Sequence, residues 1–411
     1  MITIAEISEC FPNKNKPVTG EFILQHTRAL SEYCNVIMIV PLRMIPPKEV
    51  LTFNPAKLFP NLKKWISDVN TSENFREENL RVIYFPYASL PRPYFEALDA
   101  KLMNAIYFKK LKNLLKEFQP ELIYCNWLRP WSEISNRLAR FFNVPFIMDH
   151  HEDLPTLKEL FPDKYIEFLK PVENADKIIV HSTVNKSDLE KEDLKLNEIK
   201  IIYLGQNFSI QEKIKNFNFP KLKFVCVSHL YEKRKNIDIL IKAFSILKNK
   251  IDFRLTIAGD GVYKQGYIDL TESLSLRDRI KFAGSLSRKE VESLLEESDI
   301  FILPSFPEAF GIVFIEALSK GLPVITCKGN GGGEELLNSG YEVVLTKPFS
   351  AEDLAGSVIK LTQDKERMNR MSESGKEILR KNFSWKKNAE STFGFIQETI
   401  SEFKLKANVR N

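Results

Sequence analysis

The sequence predicts an α/β protein of two domains, each built on a parallel sheet with helices on both faces. The chain has 411 residues, more than one hydrophobic core usually serves. Short β-branched apolar runs alternate with helical stretches along most of its length, and the alternation breaks once, at a polar lysine-rich stretch, before it restarts.

In the first half the apolar runs fall at residues 2–7, 36–40, 81–85, 122–125, 145–148, 177–180 and 199–204. Runs this short, apolar throughout and separated by helices, mark strands buried on both faces in βαβ units. The stretch QEKIKNFNFP, residues 211–220, interrupts the pattern and reads as a linker. A second series follows at 222–227, 254–258, 280–282, 300–303, 323–326 and 342–345. The expected domains are therefore residues 1–212 and 220–385. Beyond Ser384, a candidate N-cap, the residues Trp385, Ala389, Phe393, Ile396, Ile400 and Phe403 recur at helical spacing. They predict a terminal amphipathic helix, about 386–411, whose apolar stripe needs a surface to cover.

A composition of 44% hydrophobic and 27% charged residues sets disorder aside. The 59 basic and 54 acidic residues are interspersed, and the net charge of +5 gives no electrostatic footprint for nucleic acid. Cys10, Cys34, Cys125, Cys226 and Cys327 are scattered without a CxxC, which suits a reducing, cytoplasmic setting better than disulfides or a zinc site. The N-terminus has no basic leader before an apolar core, and no run reaches the 18 or so apolar residues of a membrane span. Membrane contact is expected to be peripheral at most, at the inner face of the cell membrane. The segment KLMNAIYFKKLKNLLKEF, residues 101–118, fits either a basic helix lying on anionic lipid or a sheet-packing helix with a solvated lysine face.

Ligands of open parallel sheets bind beyond the carboxyl ends of the strands, so the loops there carry the chemistry. After run 222–227 comes SHLYEKRKN, with Lys233, Arg234 and Lys235 consecutive before a helix. Such a cluster suits a diphosphate, or is a solvated charge run. After run 300–303 comes PSFPEAFGIVFIEA, with Glu308 and Glu316 separated by seven residues. Glu316 sits among Phe314, Ile315, Ala317 and Leu318, where a charge needs a partner such as the vicinal hydroxyls of a sugar. After run 323–326 comes KGNGGGEEL, with Gly331, Gly332 and Gly333. Its spacing matches neither a Walker A loop nor GxGxxG, and it reads as a close approach to phosphate or as a plain turn. Gly259-Asp260-Gly261 and Phe282-Ala283-Gly284 would host a base through backbone contacts or merely turn the chain.

Taken in order from Phe224 to about Trp385, these loops resemble the donor domain of family 4 glycosyltransferases, and weaker agreement covers the first half. The resemblance implies the GT-B fold, two facing Rossmann-like domains with a C-terminal helix crossing back to the N-terminal domain. Its most specific block is PSFPEAFGIVFIEALSKGLPVI. There it implies Glu308 on the donor sugar, Glu316 on the ribose, and Phe310, Gly311 and Ile312 between them in the donor site. Lys235 matches the phosphate-binding lysine, aided by Arg234, and Gly331, Gly332 and Gly333 match the glycine segment near the phosphates. FPNKNKPVTGEF resembles the loop that places a glycine, here Gly20, across the cleft. FIMDHHEDLP resembles the D-x-H-E segment, with Asp149, His151 and Glu152 at the matching positions; His151 would sit beside the reacting sugar, and His150 is the adjacent alternative. The chain departs from the pattern at Ser228-His229, where relatives carry Gly-Arg, which leaves His229, Lys233 and Arg234 to replace the missing arginine.

The implied activity is retaining transfer of a hexose-type sugar from a UDP- or GDP-linked donor to a saccharide, lipid-linked or small-molecule hydroxyl, in cell-envelope polysaccharide or glycolipid synthesis. The expected partners are that nucleotide sugar and a carbohydrate or lipid-linked acceptor, not nucleic acid. No DxD motif occurs, so neither a catalytic divalent ion nor another cofactor is expected. The alternatives are a nucleotide-sugar epimerase or phosphorylase on the same fold, or a catalytically silent nucleotide-sugar-binding subunit.

Overall fold

The structure, a computed structural model, describes the chain except residues 17–18, 46–56, 58–59, 62–63, 66–71, 90–95, 129–130, 214 and 411. The first sheet contains β1 (Thr3–Ile7), β2 (Asn35–Met44), β3 (Phe75–Glu77), β4 (Leu80–Ala88), β5 (Leu122–Asn126), β6 (Phe146–Asp149), β7 (Lys177–Val180) and β8 (Glu198–Ile201). Their order is β3-β4-β2-β1-β5-β6-β7-β8, parallel except for the antiparallel β3–β4 pair at one edge. The second sheet contains β9 (Lys221–Val227), β10 (Asp252–Ala258), β11 (Ile280–Gly284), β12 (Ile300–Ile302), β13 (Val324–Cys327) and β14 (Val344–Thr346), in the order β11-β10-β9-β12-β13-β14.

Every apolar run read from the sequence lies in one of these strands or overlaps it. The strand the runs missed is β3, whose sequence FRE is mostly exposed; an edge strand half in water carries no apolar signal. The strands β2 and β4 also extend beyond their runs and stay paired out to Met44 and Ala88.

Helices cover both faces of the first sheet and create two cores. Ile37, Ile123 and Met148 pack on one side with Leu111, Leu115 and Leu138; Ile4, Val36 and Tyr124 pack on the other with Ile23 and Leu24. Each fully buried aliphatic or aromatic side chain is worth about 1.5–3 kcal/mol. The helix Glu96–Leu115 spends its apolar face this way: Tyr107, Leu111 and Leu115 are in the core, while Lys112 and Lys116 lie over the Phe141 ring. The side chains of 101–103, part of the segment read as lipid-binding or sheet-packing, lie outside the described residues. No helix among the described residues is long and apolar enough to cross a membrane.

The terminal helix, Trp385–Arg410, joins the two halves. Trp385 belongs to the second core, whereas Phe395, Ile396 and Ile400 enter the core around Ile4, Ile23 and Val36 of the first. The stretch expected as a free linker is packed in its described part: Gln211 N–H donates to the Ser319 carbonyl at 2.8 Å and Lys215 Nζ to the Glu296 carbonyl at 2.7 Å. Leu204 and Phe208 already belong to the second core. The domains also touch directly, through Ser182 Oγ donating to the Ala309 carbonyl (2.7 Å) and Thr183 N–H donating to Glu335 Oε1 (2.6 Å).

Both sheets reverse their strand order at one point, the first between β1 and β5, the second between β9 and β12. Crevices open at such switch points because the flanking crossovers leave in opposite directions. Across the cleft these two crevices bring together the loops singled out above.

Candidate functional site

On the second domain the crevice holds a cavity of about 450 Å3 whose lining includes His229, Lys235, Glu308, Gly311, Ile312 and Glu316. Six of the expected residues thus share one space. Lys235 closes a single 3-10 turn, Lys233–Lys235, after β9, and the chain then reverses through Asn236 at φ 52°, a left-handed conformation that asparagine tolerates. Lys235 is thereby buried, with Nζ 2.5 Å from Glu308 Oε2. Arg234 approaches Glu308 Oε1 at 3.4 Å, donates to the Pro307 carbonyl at 3.0 Å and also pairs with Glu232. Burial alone would push the Glu308 carboxyl up, but Lys235 and Arg234 outweigh it and hold the group at about 2.

Glu316 has the opposite environment. It sits on the helix Ile312–Ser319, which Gly311 starts at φ 76°; a Cβ at Gly311 would lie 2.6 Å from the Phe314 ring. Among the described residues the Glu316 carboxylate makes no hydrogen bond or ion pair, and it lines both the donor-side cavity and a smaller one of about 220 Å3 reaching Glu21, Phe22 and Trp385. Burial raises it to about 7; Arg288 opposes the shift and Glu292 adds to it. An acid in this setting requires a partner, and none is found among the described residues.

His229, the substitute for the usual arginine, is half exposed, and its pKa is lowered, first by burial and then by the charges of Lys235 and Arg234. The glycines and Phe310 also make packing contacts within the chain. Gly331 N–H donates to the Glu308 carbonyl (2.8 Å) and Gly333 N–H to Asn330 Oδ1 (3.0 Å), so these amides are not free for phosphate. A Cβ on Gly331 or Gly332 would come within 2.0 Å of the Ala309 carbonyl or 1.9 Å of the Phe310 carbonyl. The segment lets the helix Gly331–Asn338 press against the loop that carries Glu308. Phe310 turns its ring toward Tyr203 and Phe383, away from the cavity.

The first-domain wall is built around Asp149 at the end of β6. Its Oδ2 accepts from Tyr124 Oη at 2.5 Å, and its Oδ1 lies 2.9 Å from His181 Nε2, an ion-pair contact in which neither atom meets hydrogen-bond geometry. Despite burial, the imidazoles of His151 and His181 hold the Asp149 carboxyl well below the usual range. His181 Nδ1 faces the Ile202 carbonyl at 2.8 Å; burial would lower this imidazole, but the Asp149 contact dominates and raises it. His151 stacks on His181 at 4.4 Å, between Trp127 and Phe22, with Nε2 3.1 Å from Asn126 Oδ1. Burial lowers His151 to about 3 against the pull of Asp149. Glu152 is structural, accepting from Leu128 N–H and contacting His150 Nδ1 at 3.0 Å. Gly20, at φ 72°, caps the helix Glu21–Leu30, where a Cβ would lie 2.3 Å from the Cys10 carbonyl. The walls sense each other electrostatically: Asp153, just past His151, feels the charges of Arg234 and Glu308.

Sequence reading missed Asn126, Trp127, His181 and Glu6. Asn126 ends β5 and Trp127 follows it, and Trp127 takes a left-handed φ of 76°, a strain of the kind stored at functional sites. Two clusters bring three ligand-type side chains together, Asp149–His151–His181 and Glu198–Glu398–Glu402. In the first, Asn126 and the Ile202 carbonyl engage one nitrogen of each ring and Tyr124 engages Asp149 Oδ2, while Asp149 Oδ1 and His181 Nε2 face each other at 2.9 Å. In the second, Lys177 Nζ occupies the centre, 2.5–3.1 Å from the three acids. A larger hollow, about 740 Å3, lies on the exposed face of β9–β11; it is lined by Lys223, Arg254 and Lys281 among others, and none of the expected site residues reaches it.

Comparison with known proteins agrees with this geometry. The family described as glycosyl transferases group 1 matches residues 209–378. An uncharacterized glycosyltransferase of Methanocaldococcus jannaschii is 30% identical over 291 residues, 70% of this chain and 77% of that protein. Sucrose-phosphate synthase from Thermosynechococcus elongatus shares the fold with a TM-score of 0.78 and 19% identity, over 98% of this chain and 100% of that one. The Anabaena protein HepE, solved in complex with UDP-glucose, superposes with a TM-score of 0.67 at 18% identity, over 98% of this chain and 100% of its own. With the donor-side loops, the switch-point crevices and the crossing helix all in place, the chain belongs to the group 1 glycosyltransferases, enzymes of GT-B fold that draw on nucleotide-sugar donors.

Proposed function

We propose that the protein is a retaining hexosyltransferase that takes its sugar from a UDP- or GDP-linked donor and passes it to a hydroxyl of a carbohydrate or lipid-linked acceptor in envelope glycan or glycolipid synthesis. The observation that carries this reading is the pairing of opposites in one cavity: Lys235 and Arg234 gather at Glu308, while Glu316 stands unpartnered on the adjoining helix.

The leaving diphosphate presents the larger charge problem. Lys235 and Arg234 neutralise it, and His229 joins them once the phosphates raise its pKa. The first-turn amides of Ile312 and Val313 have no intrahelical acceptor and face the same cavity. Preorganised charge of this kind usually contributes more to catalysis than any other single effect. Glu316 accepts from the ribose hydroxyls and Glu308 from the donor sugar. Across the cleft His151 orients that sugar, with Gly20 at the start of its helix. Gly331, Gly332 and Gly333 hold the Glu308 loop, and the Gly331 and Gly333 N–H groups are already engaged within the chain. Retention follows from front-face attack, in which the departing phosphate takes the acceptor's proton; of the carboxylates lining the cavity, Glu308 is engaged by Lys235 and Arg234, Asp260 pairs with Lys264, and Glu316 is assigned to the ribose. Excluding water protects the donor from hydrolysis.

Thermal melts of the protein with UDP, GDP, ADP and their hexose conjugates test the reading, because a ligand that prefers the native state raises the melting point. A shift with one nucleotide series and sugar transfer to added acceptor support it. No shift with any series rejects it, and a change in the donor sugar without acceptor would indicate an epimerase. Any membrane contact would use the exposed side of the helix Glu96–Leu115, where Ile106, Lys109 and Lys110 face solvent beside Phe141; failure to co-sediment with anionic vesicles at low salt rejects it.

A further inference from the structure

We infer that Asn126 and Glu6 are positioning residues that fix His151 as the Nε2–H tautomer, so that it meets the donor sugar with a bare Nδ1 lone pair as a hydrogen-bond acceptor. The inference rests on the reading of His151 as a donor-sugar contact.

The direction of the hydrogen bonds that reach His151 follows from Glu6. Thr27 Oγ1 lies 2.7 Å from the Ile23 carbonyl and 3.0 Å from Glu6 Oε2, and its single proton serves one of these two oxygens. Glu6 Oε1 accepts from Asn126 Nδ2 at 2.7 Å. With its amide turned that way, Asn126 presents Oδ1 to His151 Nε2 at 3.1 Å, and an oxygen there demands a proton on that nitrogen. A second acceptor, Asp149 Oδ1, lies 3.6 Å from the same nitrogen. Glu6, Thr27 and Asn126 are each at most 2% exposed, so water cannot replace any link. Glu6 Oε1 accepts from Asn126 whichever way the Thr27 proton points; burial raises the Glu6 pKa, against the opposing pull of His26, Asn126 and Thr27.

The other face of the ring is open. His151 Nδ1 has no hydrogen-bond partner among the described residues, and it is not one of the sealed unpaired atoms, which include Nε2 of His26 and of His150. The titratable groups around the ring are Asp149, His181, His150 and His26, with Glu6 behind Asn126; the remaining neighbours are the Trp127 and Phe22 rings. His181, raised by Asp149 and stacked at 4.4 Å, further disfavours a second positive charge on His151. A neutral, acceptor-only nitrogen selects a sugar hydroxyl at that position and repels a carboxylate.

The test uses the full-length protein labelled with 15N-histidine. The chain has five histidines, so long-range 15N–1H correlation spectra are tractable, and His151→Asn assigns the signal. The expected wild-type result is a neutral His151 with its proton on Nε2. Asn126→Asp places a stronger acceptor beside Nε2–H and stabilises the imidazolium; both the 15N titration of His151 and the acidic limb of kcat should move to higher pH. Asn126→Leu should lower kcat about tenfold with KM for the donor little changed, and Glu6→Gln should recover most of the activity lost in Glu6→Leu. A wild-type proton on Nδ1, or an Asn126→Asp protein whose His151 titration stays where it was, overturns the inference. Because the spectra need no donor, they read the tautomer even if no nucleotide sugar binds, an outcome that would instead sink the proposed function.

Discussion

The two walls of the cleft handle charge in opposite ways. On the second domain it is open: Lys235 and Arg234 share one carboxylate, and Glu316 has no partner among the described residues. On the first domain it is closed inward: Asp149, His181, Tyr124, Asn126 and Glu6 are occupied with one another and leave one ring nitrogen of His151 facing out. An open charged wall suits a ligand that brings its own charges, whereas a closed network suits fixing the direction of a single hydrogen bond.

Breaking the open wall should have the largest effect. Lys235→Ala should slow transfer at least about 100-fold, and it should also destabilise the fold by about 3 kcal/mol, because Glu308 is left buried with only Arg234 in reach. Adding Glu308→Gln should restore most of the stability, measured by denaturant unfolding, and none of the transfer. Gly332→Ala comes next: a Cβ 1.9 Å from the Phe310 carbonyl should cost about 2 kcal/mol, whereas a glycine needed only for phosphate would leave the melt unchanged.

Glu316→Gln separates binding from stability. It should weaken nucleotide binding about tenfold or more, as expected when a charged acceptor is lost, while stabilising the protein at alkaline pH. Folding raises the Glu316 pKa from 4.5 to about 7, so the folded state holds this proton longer than the unfolded one. Stability from this group is therefore whole below 4.5 and declines as pH climbs through 7. The variant should melt roughly 2 °C or more above wild type at pH 8 and together with it at pH 4.5; equal melts at both would contradict the sign. The smallest effect belongs to His229. Diphosphate binding should take up a proton there and weaken as pH rises, and His229→Arg should remove that slope and tighten binding severalfold at pH 8, read by calorimetry in buffers of different ionisation enthalpy.

How much of this was legible in the sequence follows from how local each signal is. Buried parallel strands announce themselves as apolar runs; Glu308 and Lys235 sit directly after such runs, and Glu316 on the helix that follows one. The terminal helix was visible from its stripe, although only the structure shows Phe395, outside that stripe, fully buried. The glycine segment was seen but its task was not, since the Ala309 and Phe310 carbonyls that exclude a Cβ belong to another loop. Asn126 and Glu6 are single polar residues in apolar strands, and nothing local says that β1 and β5 lie side by side. Their partnership exists only once the strand order is known.

The most direct test of the account is a crystal structure with UDP or GDP bound. The account predicts Lys235 Nζ within hydrogen-bond distance of a phosphate oxygen and the Glu316 carboxylate accepting from a ribose hydroxyl in the cavity beyond β9 and β12. A nucleotide seated instead in the basic hollow beside Lys223, Arg254 and Lys281, with Glu316 still unpartnered, would contradict it.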